Sequence, residues 1–429
     1  MDCRVLRQLM LKADGNLVCD DSNGYFINLG QVSLAPGWSI SQILTGGVYA
    51  HVRRAFQAGQ TPWPSICETC DLFSKAGIPR DTLDSRIRLM IEPTLHCKLA
   101  CPTCKRVQEG NRRSGSWDLD PDLFSALLHS CAKQRIAVEE IQYLGWGEPL
   151  LHTGFDRLTH VAREHAPAAS QEVTTTGNVE FHDGLRFAQL DRVVISCDGV
   201  RPESYATFRR QGQLSAVFQF MRQARRGFEQ APFMEWKYIV FDHNDTDEDI
   251  INAQTLAESF GLDSILFILT NSKNRSRRFD VANMHEFPIR SKIASVMPAA
   301  AMMKTSWTGV VMPETSSLGE GRFASLYLDR CTITESNMAV FEGWSLASDL
   351  SYVDSVDLIR GNRVRSRVRT QHRRMDVLAA RQGAQGPDCG FLIRFPIEQI
   401  ELEESFLFAV KTRTGEQTFR AHVRFKQEV

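Results

Sequence analysis

The chain has 429 residues, of which 43% are hydrophobic and 24% are charged, and its formal net charge is −1. This is an ordinary globular composition, and such a length usually means two or three domains. A nearly neutral chain creates no overall field that favours nucleic acid or an anionic membrane surface. No apolar run approaches the roughly 18 residues of a membrane span, and the charged N-terminal stretch lacks a signal-peptide cleavage site. We therefore expect a cytoplasmic protein that does not enter a membrane.

The first segment, 1–82, reads as irregular, with short apolar runs separated by turns such as Asp14-Gly15. This segment and the residues up to 104 are rich in cysteine. Clustered cysteines in a reducing compartment bind metals or carry out redox chemistry more often than they form disulfides. Seven of the eleven cysteines lie in the first 104 residues, namely Cys3, Cys19, Cys67, Cys70, Cys97, Cys101 and Cys104.

Strands and helices alternate through the second segment, 83–300. The strand IRLMIEP (87–93) is followed by a helix at 120–135, with Asp120 as its N-cap and Pro121 in its first turn. Five more apolar strands follow, most of them separated by helices, and Gly261 is placed to end the last helix. This rhythm predicts an α/β fold with a parallel sheet, in the form of a partial (β/α)6 TIM-like barrel.

The third segment, 301–429, has short alternating strands and glycine turns, which predict a small antiparallel β domain. The sequence IRGNR is suited to a tight hairpin turn. Residues 360–374 contain seven arginines. They suit the solvated face of a strand or, as an alternative, a site for a phosphate or an acidic sugar. Trp307 and Trp344 suit core packing better than sugar stacking.

Three cysteines, Cys97, Cys101 and Cys104, follow the first strand of the βα array with the spacing Cys-x3-Cys-x2-Cys. Functional groups in such folds lie at the carboxyl ends of the strands. A 4Fe–4S cube normally takes four thiolates, so three would leave one iron open for chemistry. A zinc site that takes His96 or another residue as its fourth ligand is the alternative that the spacing leaves open.

The stretch LMIEPTLHCKLACPTC resembles the signature of the radical S-adenosylmethionine (SAM) family. The resemblance implies a 4Fe–4S cluster on Cys97, Cys101 and Cys104, whose open iron chelates the amine and carboxylate of SAM. One electron from the cluster would cleave SAM to a 5′-deoxyadenosyl radical. That radical would remove a hydrogen atom from the substrate.

Four later segments resemble the same family over about 200 residues. LGWGEPLLH (144–152) is similar to its glycine–glutamate–proline motif, which implies that Glu148 approaches the SAM amine. TTTGN resembles the turn after the third strand. VVISCDGVRPESYATFRRQG resembles the fourth strand and the segment after it, with Arg210 facing the SAM carboxylate, and IVFDHN resembles the fifth strand. Asp198 suits a SAM or substrate contact and, equally, a turn before Gly199. The implied cofactor-binding residues are Gly145, Gly147, Glu148, Pro149, Thr176, Ser196, Asp198, Arg210 and Asn244.

The remaining N-terminal cysteines, in ADGNLVCDD and PSICETC, resemble parts of a SPASM-type auxiliary-cluster domain. Such a domain usually follows the barrel and has more cysteines, whereas this segment precedes it. The resemblance implies a second, fully ligated 4Fe–4S cluster, which would favour a net two-electron oxidation. A four-cysteine zinc site is the open alternative. The proposed ligands are Cys3, Cys19, Cys67 and Cys70.

Cys197 is expected to be a core residue, because alternation along its strand points it towards the helices, away from Ser196. His96 and His152 are expected to have structural roles. The last segment weakly resembles a β-sandwich of surface-glycan biosynthesis. We therefore expect oxidation or epimerisation of a carbohydrate or cyclitol carbon.

The partners expected for such an enzyme are a small-molecule or glycan substrate and an external electron donor such as flavodoxin or ferredoxin, with neither membrane nor nucleic acid. The alternatives are maturation of a ribosomal peptide, RNA modification through the basic C-terminal strands, and a zinc-binding structural protein without catalysis.

Overall fold

The computed structural model describes residues 2–3, 8–21, 23–67, 73–74, 86–109, 117–280, 282–299, 305–312, 317–334, 338–360, 363–368, 370, 374–381, 383–386, 388–396 and 403–427. The chain divides into two compact units, Met1–Ile265 and Leu266–Val429. No helix in the described ranges is both long and apolar enough to cross a bilayer.

Twelve strands precede residue 300 in the described part of the chain. They are β1 (Asp2–Cys3), β2 (Gln8–Leu11), β3 (Asn16–Val18), β4 (Asn28–Gln31), β5 (Phe73–Ser74), β6 (Arg86–Ile91), β7 (Ala137–Tyr143), β8 (Ser170–Thr175), β9 (Arg192–Ser196), β10 (Phe233–Val240), β11 (Ser264–Leu269) and β12 (Ala294–Pro298). Ten of them form one sheet in the order β12-β11-β10-β9-β8-β7-β6-β2-β3-β4, while β1 and β5 form a separate two-stranded ladder.

Consecutive strands from β6 to β10 pair in parallel. The predicted α/β class with a large parallel sheet is therefore confirmed. The N-terminal segment is more regular than the sequence indicated. Strand β2 pairs in parallel with β6 and antiparallel with β3, so it extends the same sheet. The irregular interpretation of this segment was wrong because β2 finds its partner about 80 residues away in sequence.

The first unit also contains the helices of the βα array and of the N-terminal segment. They are α1 (Ile40–Leu44), α2 (Gly47–Gln57), α3 (Pro64–Cys67), α4 (Lys105–Glu109), α5 (Pro121–Lys133), α6 (Phe155–His165), α7 (Asp183–Arg186), α8 (Pro202–Phe208), α9 (Leu214–Gly227) and α10 (Asp247–Ser259). Asp120 caps α5 as predicted, because its side chain accepts a hydrogen bond from the Asp122 N–H and Pro121 follows it. Gly261 has φ +71°, the left-handed conformation expected after the end of α10.

The two faces of the parallel strands differ in chemistry. Side chains at paired positions of neighbouring strands point to the same face, and alternate residues point to opposite faces. On one face, Tyr143 packs against Phe124 of α5 and Phe155 of α6, and Trp236 packs against Phe218 of α9. The opposite face, called the polar face below, carries Arg88, Glu140, Glu172, Arg192, Glu235 and Lys237.

The second unit contains a nine-stranded sheet. Its strands are β13 (Thr305–Val311), β14 (Gly319–Glu320), β15 (Ala324–Thr334), β16 (Met338–Ala347), β17 (Ser355–Arg360), β18 (Arg363–Val368), β19 (Gly390–Pro396), β20 (Glu403–Thr412) and β21 (Gly415–Gln427), and α11 (Met375–Ala380) lies between β18 and β19 in sequence. The order is β18-β17-β20-β21-β13-β15-β16-β19, with β14 beside β15. Arg360 pairs with Arg363, as the predicted hairpin requires, although its turn residues 361–362 lie outside the described residues.

Candidate cofactor site at the ends of the parallel strands

The loop after β6 holds the three predicted cluster cysteines. The backbone N–H of Leu99 donates to Sγ of Cys97 at 3.5 Å, and the N–H of Ala100 donates to the carbonyl oxygen of Arg210 at 2.9 Å. The loop is therefore fixed to the chain that follows β9. Hydrogen bonds to sulfur are among the means by which proteins tune iron–sulfur clusters.

Burial and neighbouring groups shift the pKa values of Cys97 and Cys101 in opposite directions. Burial raises the pKa of Cys97, while the Leu99 N–H and the charge of Arg106 lower it. Burial likewise raises the pKa of Cys101, and Arg209 lowers it through its charge and a hydrogen bond. Burial is the largest cause at both positions, and binding of a metal by these thiols would release their protons.

The arrangement of the thiols bears on the zinc alternative. Among the described residues, no three His, Cys, Asp or Glu side chains are gathered to hold a metal ion. A tetrahedral zinc ion with Zn–S bonds of about 2.3 Å would draw its sulfurs together around one point. The three thiolates of a cube bind three different irons and stand further apart. The structure does not decide between these two arrangements, and the zinc alternative stays open.

The glycine-rich turn after β7 packs directly on the cysteine loop. The N–H of Glu148 donates to the carbonyl oxygen of His96 at 2.7 Å, and Sγ of Cys104 lies 3.9 Å from the carbonyl oxygen of Trp146. A Cβ at Gly147 would overlap the carbonyl oxygen of Thr94. Glycine at this position therefore allows the two predicted motifs to meet.

Gly145 has a second reason to be glycine. It has φ +131°, and a Cβ there would lie 2.7 Å from Cγ of the buried Glu92. Pro149 follows Glu148 as the first residue of a short 3₁₀ turn, Pro149–Leu151. The predicted cofactor-binding glycines thus shape the turn, while their contact with SAM stays a prediction.

Glu148 is buried, and its carboxylate is fully engaged by the protein. Oε1 accepts from the Leu150 N–H at 3.2 Å and from the Thr175 hydroxyl at 2.7 Å. Oε2 accepts from the Thr176 N–H and hydroxyl, both at 2.7 Å. Burial raises the pKa of Glu148, and these donors oppose that effect. Glu148 and Thr176 therefore join the turns after β7 and β8, and a direct approach of Glu148 to the SAM amine remains a prediction.

The two adjacent arginines of FRRQG occupy different environments. Arg209 donates from Nε to Oδ2 of Asp198 at 2.6 Å and lies beside Cys101, whereas the side chain of Arg210 is exposed. The sequence interpretation placed Arg210 at the SAM carboxylate. In the structure Arg210 contributes its backbone oxygen to the cysteine loop, and Arg209 brings the positive charge. The sequence alone offers no signal that separates two neighbouring arginines.

Asn244 and Asp198 hold the turns after β9 and β10 together. The Asn244 amide donates to the carbonyl oxygens of Asp198 and Ile239, both at 3.0 Å, and accepts from the Phe241 N–H at 2.7 Å. Oδ1 of Asp198 accepts from the Ile239 N–H at 2.9 Å. Both residues therefore hold the two turns together, and their predicted contact with SAM stays a prediction.

Ser196 and Cys197 at the end of β9 point to opposite faces. Cys197 is completely buried on the helix side, and its Sγ lies 3.5 Å from the carbonyl oxygen of Gly199. This matches the expected core role. Ser196 points to the polar face, where its register partner is Lys237 of β10. Lys237 was not identified from the sequence. The available signal was a lysine inside the predicted strand EWKYIV.

The auxiliary cysteines are described only in part. Cys19 and Cys67 are buried, and the backbone of Cys3 pairs with that of Phe73 in the β1–β5 ladder. The side chain of Cys3 and all of Cys70 lie outside the described residues. The ladder brings the backbone of Cys3 to a residue three positions after Cys70.

The N-terminal segment also contacts the glycine-rich turn, which the sequence gave no reason to expect. The ring of Trp146 stacks on Tyr25 with centroids 3.7 Å apart, and its Nε1 donates to the carbonyl oxygen of Asp21 at 2.8 Å. The Tyr25 hydroxyl and the Trp146 N–H both reach the carboxylate of Glu92. The segment that carries Cys19 is thereby fixed against the predicted SAM motif.

The remaining predicted positions have ordinary structural contacts. His152 is buried, with Nε2 2.9 Å from the carbonyl oxygen of Leu119, and His96 packs near Trp117. Trp344 stacks on Tyr327. Within the arginine-rich segment, Arg367 pairs with the buried Asp357, whereas the side chain of Trp307 lies outside the described residues.

Comparisons with known proteins found relatives that match part of this chain. No protein-family model matches the chain. A protein of Rhodococcus opacus named GTP 3′,8-cyclase is 30% identical over 165 residues, which are 38% of this chain and 44% of the relative. A GTP 3′,8-cyclase of Streptomyces coelicolor is 29% identical over 143 residues, 32% of this chain and 40% of the relative. The chain thus spans less than half the length of these curated relatives.

The solved structures that match this chain are more distant in sequence. SuiB of Streptococcus suis bound to S-adenosylmethionine is 14% identical over 68% of this chain and 71% of its own, with a TM-score of 0.36. The protein anSMEcpe with bound AdoMet is 15% identical over 47% of this chain and 58% of its own, also with a TM-score of 0.36.

Proposed function

From the premise that this chain belongs to the radical SAM superfamily, we propose that it is an enzyme which starts its reaction by hydrogen-atom abstraction. Cys97, Cys101 and Cys104 would hold a 4Fe–4S cluster. When bound, the cluster and SAM supply the 5′-deoxyadenosyl radical. The observation that carries the proposal is the direct packing of the glycine-rich turn on the cysteine loop, through the 2.7 Å hydrogen bond from Glu148 N–H to the His96 carbonyl oxygen.

The surrounding residues suit this role because they fix the cysteine loop. Glu148 joins the turns after β7 and β8, and Arg209 with Asp198 joins the chain after β9 to Cys101. We further propose that the parallel strands close into a partial (β/α)6 barrel with the polar face inward. Radical chemistry would then take place in a polar cavity that the helices do not fill.

We propose that Cys3, Cys19, Cys67 and Cys70 hold a second, auxiliary 4Fe–4S cluster. Support comes from the β1–β5 ladder, in which the backbone of Cys3 pairs with that of Phe73. Phe73 follows the Cys67–Cys70 pair by only three residues in the sequence. The burial of Cys19 and Cys67 is also suitable for a cluster. A fully ligated cluster has no open iron, so it would carry electrons rather than bind substrate.

The substrate we propose is a carbohydrate or cyclitol, oxidised or epimerised at one carbon in the cytoplasm. Flavodoxin or ferredoxin would supply the electron. The second cluster favours oxidation, because it could accept the electron that remains on the substrate after hydrogen abstraction.

Iron and sulfide analysis after anaerobic reconstitution tests the proposal, together with 5′-deoxyadenosine formation from SAM and dithionite. We expect about eight irons per chain in the wild type and about four in a variant with Cys97, Cys101 and Cys104 replaced by Ala. Cys131→Ala, a buried cysteine of α5 outside both predicted sites, is the matched control and should keep all the iron.

The outcomes separate the parts of the proposal. No 5′-deoxyadenosine from the fully loaded wild type would refute the enzymatic function. About four irons that fall to none in the triple variant would refute the auxiliary cluster alone and would favour redox-neutral epimerisation.

A further inference from the structure

The polar face and its end carry equal numbers of positive and negative side chains, but the ion pairs among them are unevenly distributed. Four cations and four carboxylates interact there: Arg88, Arg192, Arg209, Lys237, Glu140, Glu172, Asp198 and Glu235. Each carboxylate has an arginine within 3.2 Å. Arg192 serves two of them, Glu172 at 3.2 Å and Glu235 at 2.7 Å.

Of these four cations, Lys237 is the one that forms no ion pair with any of the four carboxylates. Its ammonium group makes no hydrogen bond and no ion pair within 4.0 Å to any residue that the structure describes, although it feels the charges of Arg209, Asp198, Glu172 and Glu235. Its side chain is half-buried. Burial lowers the pKa of Lys237, and the nearby Arg209 lowers it further.

The position of Lys237 points to the reaction site. Lys237 and Ser196 are register partners on β10 and β9, so both side chains leave the sheet on the polar face near the carboxyl end of β9. The Ser196 hydroxyl likewise has no hydrogen-bond partner in the described part of the chain. Arg209, which influences Lys237, also contacts Cys101. An ammonium and a hydroxyl without partners thus lie side by side on the approach to the cysteine loop.

A half-buried ammonium without a counterion is unfavourable, and an anionic ligand would remove that cost. The charge balance limits which anion is suitable. A group with one negative charge would be met by Lys237, whose own charge is not otherwise contacted. A dianionic phosphate would bring a second negative charge towards Glu172 and Glu235 with no further cation to meet it.

We propose that Lys237, assisted by Ser196, binds a carboxylate of the substrate, and this role would replace the SAM contact that the resemblance implies for Ser196. This inference rests on the proposed function and deepens it, because it narrows the substrate class to an acidic sugar or cyclitol derivative. Lys237 would orient the substrate by its charged end and leave a neutral carbon to face the cluster loop.

The test compares two sugars that differ mainly in one carboxylate, D-glucuronate and D-glucose. Saturation-transfer NMR would measure their binding to the anaerobically reconstituted, SAM-loaded protein. We expect the wild type to prefer glucuronate by about tenfold or more, the range for a hydrogen bond to a charged group. Lys237→Gln should abolish the preference, Lys237→Arg should retain part of it, and the exposed Lys133→Gln is the matched control.

Several results would overturn the proposal. They are a wild type with no preference for glucuronate, a preference that survives in Lys237→Gln, or tighter Lys237-dependent binding of glucose 6-phosphate than of glucuronate. A loss of SAM affinity in Lys237→Gln equal to the loss of glucuronate affinity would assign the ammonium to SAM instead.

Two safeguards keep the test decisive. If Lys237→Gln does not fold, displacement of glucuronate from the wild type by acetate, with chloride as control, measures the same contact. The binding assay requires no turnover, so failure of SAM cleavage would refute the proposed function without deciding this inference.

Discussion

Arg209 donates from Nε to Oδ2 of Asp198 at 2.6 Å, and the aspartate is completely buried directly beyond the end of β9. The same guanidinium lowers the pKa of Cys101. One ion pair therefore connects the strand end, the segment after α8 and the cysteine loop. The ion pair therefore belongs to the same site as the cysteines.

Replacement of Arg209 by Met should be costly, because it leaves the Asp198 carboxylate buried without its counterion. We expect a loss of about 3–5 kcal/mol in the free energy of unfolding, measured by urea denaturation. Arg210→Met is the matched control and should change stability by less than about 0.5 kcal/mol, since its side chain is exposed. Equal losses in the two variants would contradict the assignment of the buried charge to Arg209.

The same pair of variants decides which arginine serves SAM. The sequence interpretation assigns the SAM carboxylate to Arg210, and the structure places Arg209 nearer to Cys101. If Arg210→Met weakens SAM binding at unchanged stability, the sequence interpretation holds. If its affinity is unchanged, the arginine beside Cys101 becomes the candidate.

Gly147→Ala should disrupt the contact between the two motifs. The new methyl group would overlap the carbonyl oxygen of Thr94, which is backbone and cannot move aside as a flexible side chain can. We expect loss of SAM binding, measured by equilibrium dialysis, with the iron content less affected. Gly47→Ala is the control, because a Cβ there meets nothing within 4 Å and lies at the start of α2. Normal SAM affinity in Gly147→Ala would show that the turn does not need this close approach.

The contrast between these positions shows what the sequence could supply. Local patterns sufficed for the parallel strands, for the Asp120 cap and for Gly261, because each depends on neighbours in the chain. The choice between Arg209 and Arg210 depends on how the chain turns after α8, which no local pattern encodes. The pairing of β2 with β6 and the stacking of Tyr25 on Trp146 arise from residues far apart in sequence.

Burial of Cys131 predicts a clear chemical difference among the cysteines. Burial raises the pKa of Cys131 to about 12, so less than about one thiol in a thousand is ionised at pH 8. The native protein should therefore react with iodoacetamide at Cys131 very slowly at pH 8 and faster as the pH rises towards 12, whereas urea should expose the thiol and restore ordinary reactivity. Mass spectrometry of the modified peptides measures this directly. Rapid labelling of the native protein at pH 8 would mean that α5 opens easily.

Tyr25→Phe tests whether the N-terminal segment supports the SAM turn. The Tyr25 hydroxyl donates to the carboxylate of Glu92, which is completely buried and also accepts from the Trp146 N–H. Removal of that hydroxyl leaves a buried carboxylate short of a donor, which costs about 1–3 kcal/mol. Because Glu92 and Trp146 share this contact, we expect the loss of unfolding free energy to be accompanied by weaker SAM binding.

A second Tyr→Phe change provides the matched comparison. Among the residues that the structure describes, the Tyr327 hydroxyl of the second unit makes one long contact, 3.4 Å from an Arg381 nitrogen. Tyr327→Phe should therefore cost less than about 0.5 kcal/mol and leave SAM binding unchanged. If Tyr25→Phe lowers stability but keeps full SAM affinity, the N-terminal segment anchors the fold without positioning the turn. If stability and SAM affinity fall together, the segment that carries Cys19 helps to position the SAM site. The reason is that the Glu92 carboxylate contacts both the Tyr25 hydroxyl and the Trp146 N–H.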